Sequence, residues 1–179
     1  DEFDENGLVV LRGACPEYLC NEIAADLQNR AHLLQPKNEH GLFCGRLVNF
    51  HMSSEAALTA ATMPEILSIV DGLMRSPEPY VAYTSLAFYV GTQQAIHRDV
   101  PHFHTWPKPD AFVGVWFALE DANEGNGALE YFEGGHKTYI PGGETVKSML
   151  FPKQNKPLER HELYDCMAYY EGLCTANPL

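Results

Sequence analysis

Apolar residues recur at helical spacing near the start of the chain. They stand three or four positions apart, at Leu19, Ile23, Leu27, Ala31 and Leu34. This spacing gives a helix one apolar face, and we predict a helix over about residues 16–34 that packs against a sheet. Pro16 and Glu17 are typical of a helix start, because proline lacks an N–H and an acidic side chain suits the positive end of the helix dipole.

Two shorter helices are predicted next. Ser53 and Ser54 precede residues 55–62 and can cap a helix there with a hydroxyl group. Pro64 opens the second helix, which is apolar around much of its surface, at Ile66, Leu67, Ile69, Val70, Leu73 and Met74. Because its apolar residues are not confined to one stripe, we expect this second helix to be well buried.

From residue 80 the pattern changes to runs of β-branched and aromatic residues, which favour strands. Strands are predicted at residues 8–11, 42–43, 47–50, 80–90, 113–119 and 128–132. Residues 137–160 show no clear period and are predicted to form a surface insertion. Helices followed by antiparallel strands indicate an α+β fold around a jelly-roll barrel, whose mouth is a natural small-molecule site.

The composition limits the class of protein. A length of 179 residues suits one domain, 1–179, and a net charge of −12 argues against nucleic acid or an anionic membrane as partner. No apolar run reaches membrane-spanning length, and no signal peptide is visible. The cysteines include no Cys-x-x-Cys pair, so we expect free thiols in a reducing, cytoplasmic compartment. The abrupt ends at Asp1 and Leu179 suggest a domain cropped at both termini.

One stretch places metal-binding residues between two apolar runs. His97 and Asp99 are two positions apart, and residues at that spacing on a strand point to the same face. An imidazole nitrogen and a carboxylate oxygen can then meet at one metal ion, as in the two-histidine, one-carboxylate triad of non-haem Fe(II) oxygenases. His102 and His104 follow closely, and we interpret them as residues of a polar loop.

Further motifs surround this pair in a distinctive order. They are Gln94-x-x-His97-x-Asp99, Val-Trp-Phe-Ala-Leu-Glu-Asp at 115–121, Asn-Gly-Ala-Leu at 126–129 and Gly-Gly-His-Lys at 134–137. Together with residues 6–13, which look like an opening strand, they resemble the phytanoyl-CoA dioxygenase family over nearly the whole chain. The resemblance implies a double-stranded β-helix, a jelly-roll or cupin-like fold, with the N-terminal helices packed on the barrel.

The resemblance also implies a chemistry, in which Fe(II), 2-oxoglutarate and O₂ act on a small-molecule substrate. His97 and Asp99 match two iron ligands, and Asp99 favours C–H hydroxylation over halogenation, with succinate and CO₂ as co-products. Trp116 matches a tryptophan beside the cosubstrate or is a core aromatic, and Arg46 either faces 2-oxoglutarate or is a surface arginine. The cofactor-binding residues implied in this way are Gln94, Thr92, Trp116 and Arg46.

One departure from the family pattern matters. The third iron ligand, a histidine in a Gly-Asp-x-x-x-x-x-His segment, and a later arginine have no counterpart in the chain. His161 lacks the flanking pattern, and His136 is interpreted as structural. We therefore expect the missing residues to lie beyond Leu179 and the 179 residues alone to be inactive.

Two other interpretations remain open. One is a jelly-roll binding module that has lost its activity, and the other is a cupin-type metal enzyme that uses His102 or His104 without 2-oxoglutarate. The sequence specifies neither the substrate nor the oligomeric state.

Overall fold

A computed structural model describes residues 2–34, 45–75, 81–89, 97, 99, 112–137, 143–153, 156, 159, 161–162, 165–166 and 168–169. The chain divides into two compact units. The first unit comprises Asp1–Val10, Gln94–Phe112 and Leu129–Leu179, and the second comprises Leu11–Gln93 and Val113–Ala128. We consider each unit by itself, and the single domain stays a prediction.

The core of the second unit is built on helix α2, Glu17–Asn29, which follows a short helix α1, Glu2–Asn6, of the first unit. Pro16 stands at the N-cap of α2, with φ −61° and ψ 139°. The predicted apolar face is confirmed over its first three positions, which are buried. Their cluster comprises Leu19, Ile23, Leu27, Leu47, Phe50 and Ala60.

Helix α2 ends earlier than the apolar spacing predicts. Arg30 leaves the helical conformation at φ −105° and ψ 9°, and Ala31–Leu33 form a separate 3-10 turn. The Arg30 guanidinium donates to the Asp26 carbonyl at 3.0 Å and to the Ser53 carbonyl at 2.6 Å. The Asp26 carbonyl is one of the last four of α2, which have no partner within a helix that ends at Asn29. The Arg30 guanidinium supplies that partner, so α2 can end at Asn29 without leaving the Asp26 carbonyl unpaired.

Helix α3, Glu55–Ala61, begins at the predicted serine cap. The Ser54 oxygen accepts the Ala57 N–H at 3.1 Å, and the Ser54 O–H donates to Asp26 Oδ2 at 2.6 Å. The hydrogen bond from Ser54, together with the neighbouring Arg30 guanidinium, holds the pKa of Asp26 below its usual range. Ser54 is only 2% exposed, so this one hydroxyl group both caps α3 and ties it to α2.

Helix α4, Pro64–Met74, has proline at its start, as predicted, and ends at Arg75 in the left-handed region. The expectation that α4 is well buried is wrong, because Ile66 is its one buried residue. The other apolar side chains of α4 keep partial exposure. Apolar residues on several faces do not bury a helix unless neighbouring elements cover those faces.

The strands of the described residues form one antiparallel pair, β1 (Arg46–Val48) and β2 (Leu86–Phe88). The register pairs Arg46 with Phe88, Leu47 with Ala87 and Val48 with Leu86. Asn49 ends β1 in the left-handed region, at φ 55°, and its N–H donates to the Ser85 carbonyl at 2.7 Å. The predicted strands 47–50 and 80–90 are therefore shorter than expected, and Phe50–Met52 turns as a 3-10 helix.

Three predicted strands are wrong. Residues 8–11, 113–119 and 128–132 form no strand, since no described segment pairs with them and a strand exists only through ladder bonds to a neighbour. Residues 42–43 lie outside the described part of the chain. The double-stranded β-helix itself stays a prediction.

The first unit contains α1 and two elements that the periodicity did not identify. Gly135–Lys137 forms a 3-10 turn, and the Gly134 N–H donates to the Asn6 carbonyl at 2.8 Å. Helix α5, Gly143–Leu150, lies inside the predicted surface insertion, which is therefore wrong over these residues. Val146 of α5 is 1% exposed. Val146 and Leu150 are four residues apart, so they lie on the same side of a helix, and this spacing could have indicated α5 from the sequence.

The α-helices of the described residues are 5–13 residues long. No single helix there has the length and apolar character to cross a bilayer. Helices α3 and α4 meet the requirement only when taken together, by length and composition, with a 44° bend between them.

Replacing Ser54 by alanine removes both the α3 cap and the bond to Asp26, and we expect it to lower the free energy of unfolding by about 1–2 kcal/mol. Ser53→Ala is the matched control, because the Ser53 hydroxyl donates only to the Phe50 carbonyl, at 3.1 Å. Urea unfolding followed by circular dichroism measures both variants. An equal loss of unfolding free energy in Ser54→Ala and Ser53→Ala would contradict the assigned role of Ser54.

The same variant has a pH signature. Because the folded pKa of Asp26 is lowered, its stabilising contribution is present above the unfolded pKa and is lost as pH falls through the folded pKa. The stability deficit of Ser54→Ala should therefore shrink in acid, as the carboxyl group of the wild type also becomes protonated.

Gly7 adopts φ +76°, and a Cβ at that position would collide with the His136 ring. Gly13 adopts φ +69° with nothing within 4 Å, so it tests the backbone cost alone. We expect Gly7→Ala to lower the free energy of unfolding by about 1 kcal/mol or more beyond the cost of Gly13→Ala. Adding His136→Ala to Gly7→Ala should recover part of the loss in thermal unfolding, and no recovery would count against the contact.

Candidate functional site

The His97–Asp99 pair lies in the first unit and is in contact, although neither residue belongs to a strand as the spacing argument assumed. His97 Nε2 is 3.4 Å from Asp99 Oδ1. The side chains are 24% and 46% exposed, so both donor groups remain accessible. The two residues therefore direct a nitrogen and an oxygen toward a common region.

These two donors fit a metal ion of the Fe(II) type. Ligands at about 2.1 Å from an ion on adjacent octahedral positions lie roughly 3 Å apart, close to the 3.4 Å between these atoms. Imidazole nitrogen and carboxylate oxygen also match the donor types of the facial triad. Among the described residues, no group of three or more His, Cys, Asp or Glu side chains could hold a metal ion.

Arg46 lies on β1 in the second unit and is 6% exposed, so the surface-arginine interpretation is wrong. Phe88 stands directly opposite it in the register, and side chains of opposite residues share one face of a sheet. The Arg46 guanidinium carbon is 5.9 Å from the centre of the Phe88 ring. The strand pairing thus holds a buried guanidinium group against an aromatic ring.

Trp116 also belongs to the second unit and is 51% exposed, so the core-aromatic interpretation is wrong. Phe117 and Leu119 of the same segment pack against the core cluster. Alternating positions of an extended segment point in opposite directions, which leaves Trp116 on the outer side. The indole is therefore available to a ligand, as the cosubstrate interpretation requires.

The remaining candidates differ in what the structure describes. Gln94, Thr92, His102 and His104 lie outside the described residues. His136 Nε2 is 3.2 Å from the Asp4 carbonyl oxygen, which supports the structural interpretation of this histidine. His161 Nδ1 is 3.6 Å from Glu159 Oε2, with the two side chains 72% and 78% exposed.

Sequence reasoning missed a polar pair beside β1. His51 Nδ1 is 2.6 Å from Ser85 Oγ, and the His51 N–H donates to the same oxygen at 3.0 Å. Besides accepting that N–H, the Ser85 hydroxyl can donate to Nδ1 or accept from it, depending on the imidazole tautomer. No local spacing could have revealed a pair 34 residues apart, because the β1–β2 register brings them together.

Within the first unit, the described geometry brings an imidazole nitrogen and a carboxylate oxygen to 3.4 Å from each other. A model of the phytanoyl-CoA dioxygenase (PhyH) family matches residues 3–163. The chain therefore belongs to the phytanoyl-CoA dioxygenase family. No curated protein and no solved structure matches the chain.

Family membership confirms the resemblance seen in the sequence motifs and sets its general chemistry. Members of this family are Fe(II)- and 2-oxoglutarate-dependent oxygenases with a cupin or jelly-roll fold. They act on small molecules with O₂.

Proposed function

We propose that this protein is an Fe(II)- and 2-oxoglutarate-dependent dioxygenase that hydroxylates a C–H bond of a small molecule. The observation that carries the proposal is the 3.4 Å approach of His97 Nε2 to Asp99 Oδ1 in a chain of this family. When bound, iron and 2-oxoglutarate supply the oxidising chemistry that activates O₂ and yields succinate and CO₂. The carboxylate at Asp99 occupies a position that would otherwise be open to a halide, which favours hydroxylation.

The protein's own residues would hold the metal ion and orient the cosubstrate. His97 would bind the metal through neutral Nε2 and Asp99 through a carboxylate oxygen, and their spacing of two residues fixes both on one side of the ion. A metal held in this way would still be able to bind 2-oxoglutarate and O₂. A third protein ligand is part of the proposal, and its identity is not among the described residues.

Arg46 and Trp116 are proposed to serve the cosubstrate. Burial of the Arg46 guanidinium makes its charge more effective toward a carboxylate than it would be in water. Trp116 offers an accessible aromatic face to the same ligand. Gln94 and Thr92 are proposed from the family motif to hydrogen-bond the cosubstrate or substrate.

The fold and compartment complete the proposal. We propose that the chain follows the double-stranded β-helix of its family, for which residues 3–163 are the support. A cytoplasmic location is proposed from the thiol chemistry, since the described cysteines Cys15, Cys20 and Cys166 are free.

Removing either metal ligand should abolish iron binding. We expect His97→Ala and Asp99→Ala each to weaken Fe(II) affinity by more than about 100-fold, because even the loss of a residue that only hydrogen-bonds to a metal ligand costs about 10–100-fold. Anaerobic Fe(II) titration measures this directly. The experiment needs a control with a histidine that also contacts a carboxylate.

His161→Ala provides that control, since His161 contacts Glu159 at 3.6 Å but is 72% exposed. Its Fe(II) affinity should equal that of the wild type. Unchanged affinity in either His97→Ala or Asp99→Ala would overturn the iron assignment, whereas a loss in His161→Ala would identify His161 as a ligand that sequence reasoning set aside.

The role of Arg46 can be measured without turnover. Under anaerobic conditions, 2-oxoglutarate bound to the Fe(II) protein should give a visible charge-transfer band, and Arg46→Ala should raise the apparent Kd for 2-oxoglutarate at least about 10-fold. That factor corresponds to the loss of one charge-assisted contact of about 1.4 kcal/mol. Iron binding with no band at saturating 2-oxoglutarate would instead favour the cupin-type interpretation.

Arg30→Ala is the matched control for Arg46→Ala. Arg30 also faces a ring, at 6.0 Å from Phe50, but it pairs with Asp26 at 3.1 Å. We expect Arg30→Ala to lower Tm and leave the Kd for 2-oxoglutarate unchanged. An equal rise in Kd for both variants would show that general destabilisation, rather than a direct contact, explains the effect of Arg46→Ala.

A further inference from the structure

Two Asn–Gly sequences occur in the chain, at Asn6–Gly7 and at Asn126–Gly127. In such a pair the glycine nitrogen can attack the side-chain carbonyl carbon of the asparagine, because the two atoms close a succinimide ring. Glycine has no side chain to hinder this approach, and its backbone turns more freely than that of any other residue. The chemistry is therefore available at both sequences, and the surroundings of each decide where it proceeds in the folded protein.

The Asn6–Gly7 sequence lies at the end of α1 and is held on both sides. The Gly7 N–H donates to the Phe3 carbonyl at 2.8 Å, and the Asn6 carbonyl accepts the Gly134 N–H at 2.8 Å. The His136 ring lies so close to Gly7 that no Cβ fits between them. The nitrogen that would attack is thus tied to the helix, and this peptide unit cannot turn toward the Asn6 side chain without breaking hydrogen bonds.

The Asn126–Gly127 sequence lies in a loop of the second unit, and both residues are exposed. The N–H groups of Asn126 and Ala128, on either side of Gly127, both donate to the Asn123 carbonyl, at 3.1 and 3.3 Å. Within the described part of the chain, the Gly127 N–H makes no hydrogen bond. This nitrogen is therefore accessible to base, which must remove its proton before it can attack.

The side-chain amide of Asn126 has a donor at the atom where charge develops. Its Oδ1 accepts the Asn123 N–H at 2.7 Å, and its Nδ2 donates to the Asp121 carbonyl. Attack on the amide carbon places negative charge on Oδ1, and a backbone N–H that already bonds to this oxygen stabilises the charge. The loop thus places an accessible nucleophile next to a polarised carbonyl group.

We propose that Asn126 is a site of spontaneous deamidation in the folded protein, whereas Asn6 is protected. In the first step the deprotonated Gly127 nitrogen bonds to Asn126 Cγ, the Cγ–Nδ2 bond breaks, and Nδ2 leaves as ammonia after uptake of a proton. In the second step water opens the succinimide ring. Breaking the Cγ–N bond gives aspartate, and breaking the bond from the backbone carbonyl carbon to nitrogen gives isoaspartate. Overall, water is consumed, ammonia is released, and nothing is oxidised or reduced.

Deamidation would add a negative charge to the loop and remove a hydrogen bond. A carboxylate at position 126 still accepts the Asn123 N–H, but it has no N–H to donate to the Asp121 carbonyl. The isoaspartate product also lengthens the backbone by a methylene group. The loop follows Leu119, which packs against the core cluster, so the change lies next to the 113–119 segment. The inference stands apart from the proposed oxygenase activity, because it uses none of the metal or cosubstrate residues.

Peptide mapping of aged protein tests the proposal. Because Lys-Pro bonds resist trypsin, the two sequences fall on separate tryptic peptides, residues 1–12 and 99–137. After incubation of the native protein in mildly alkaline buffer, mass spectrometry measures the replacement of NH₂ by OH, and fragmentation locates it. We expect Asn126 to convert at least about fivefold faster than Asn6, the factor that corresponds to a hydrogen bond of about 1 kcal/mol on the Gly7 nitrogen.

An unfolded sample and a variant provide the controls. In guanidinium chloride both sequences are ordinary Asn–Gly pairs, so Asn6 and Asn126 should convert at similar rates. Asn126→Gln should show no conversion at that position, because the longer side chain cannot close a succinimide ring. Equal rates at the two sequences in the native protein, faster conversion at Asn6, or no conversion at Asn126 would overturn the proposal.

Discussion

Burial of one face of α2 is the interaction on which the second unit depends. Leu19, Ile23 and Leu27 are 2%, 5% and 3% exposed, and each fully buried aliphatic side chain contributes about 1.5–3 kcal/mol. This face meets β1, the Phe50–Met52 turn and α3 in one cluster. Because all three elements pack against the same face, this amphipathic helix fixes their positions, although they follow α2 at increasing distance along the chain.

Polar contacts of α2 add to the packing of its apolar face. Asp26 accepts the buried Ser54 hydroxyl and pairs with Arg30, so the helix that fills the core also anchors the start of α3. On the other side of the cluster, Leu47 packs into the core while its neighbour Arg46 faces Phe88 across the strand pair.

Burying a guanidinium group costs several kcal/mol before its contacts are counted. A ring face such as that of Phe88 recovers part of that cost, and Arg46 has further interactions in the structure. A chain with a net charge of −12 has ample acidic partners for surface arginines.

The sequence alone determined the local features. The helix start at Pro16, the serine cap of α3 and the proline at the start of α4 each depend on residues within one helical turn, so their spacing was sufficient. The family was also determined by the sequence, through the order of its motifs.

The tertiary structure decided the features that depend on distant partners. Residues 113–119 and 128–132 have strand-like composition, but strands require ladder bonds that no described segment supplies. The partial exposure of α4, the burial of Arg46, the exposure of Trp116 and the His51–Ser85 bond likewise depend on which surfaces meet. These features share one physical reason. Burial and strand pairing each need two surfaces in contact, and the pattern of residues along a segment describes only that segment's own surface.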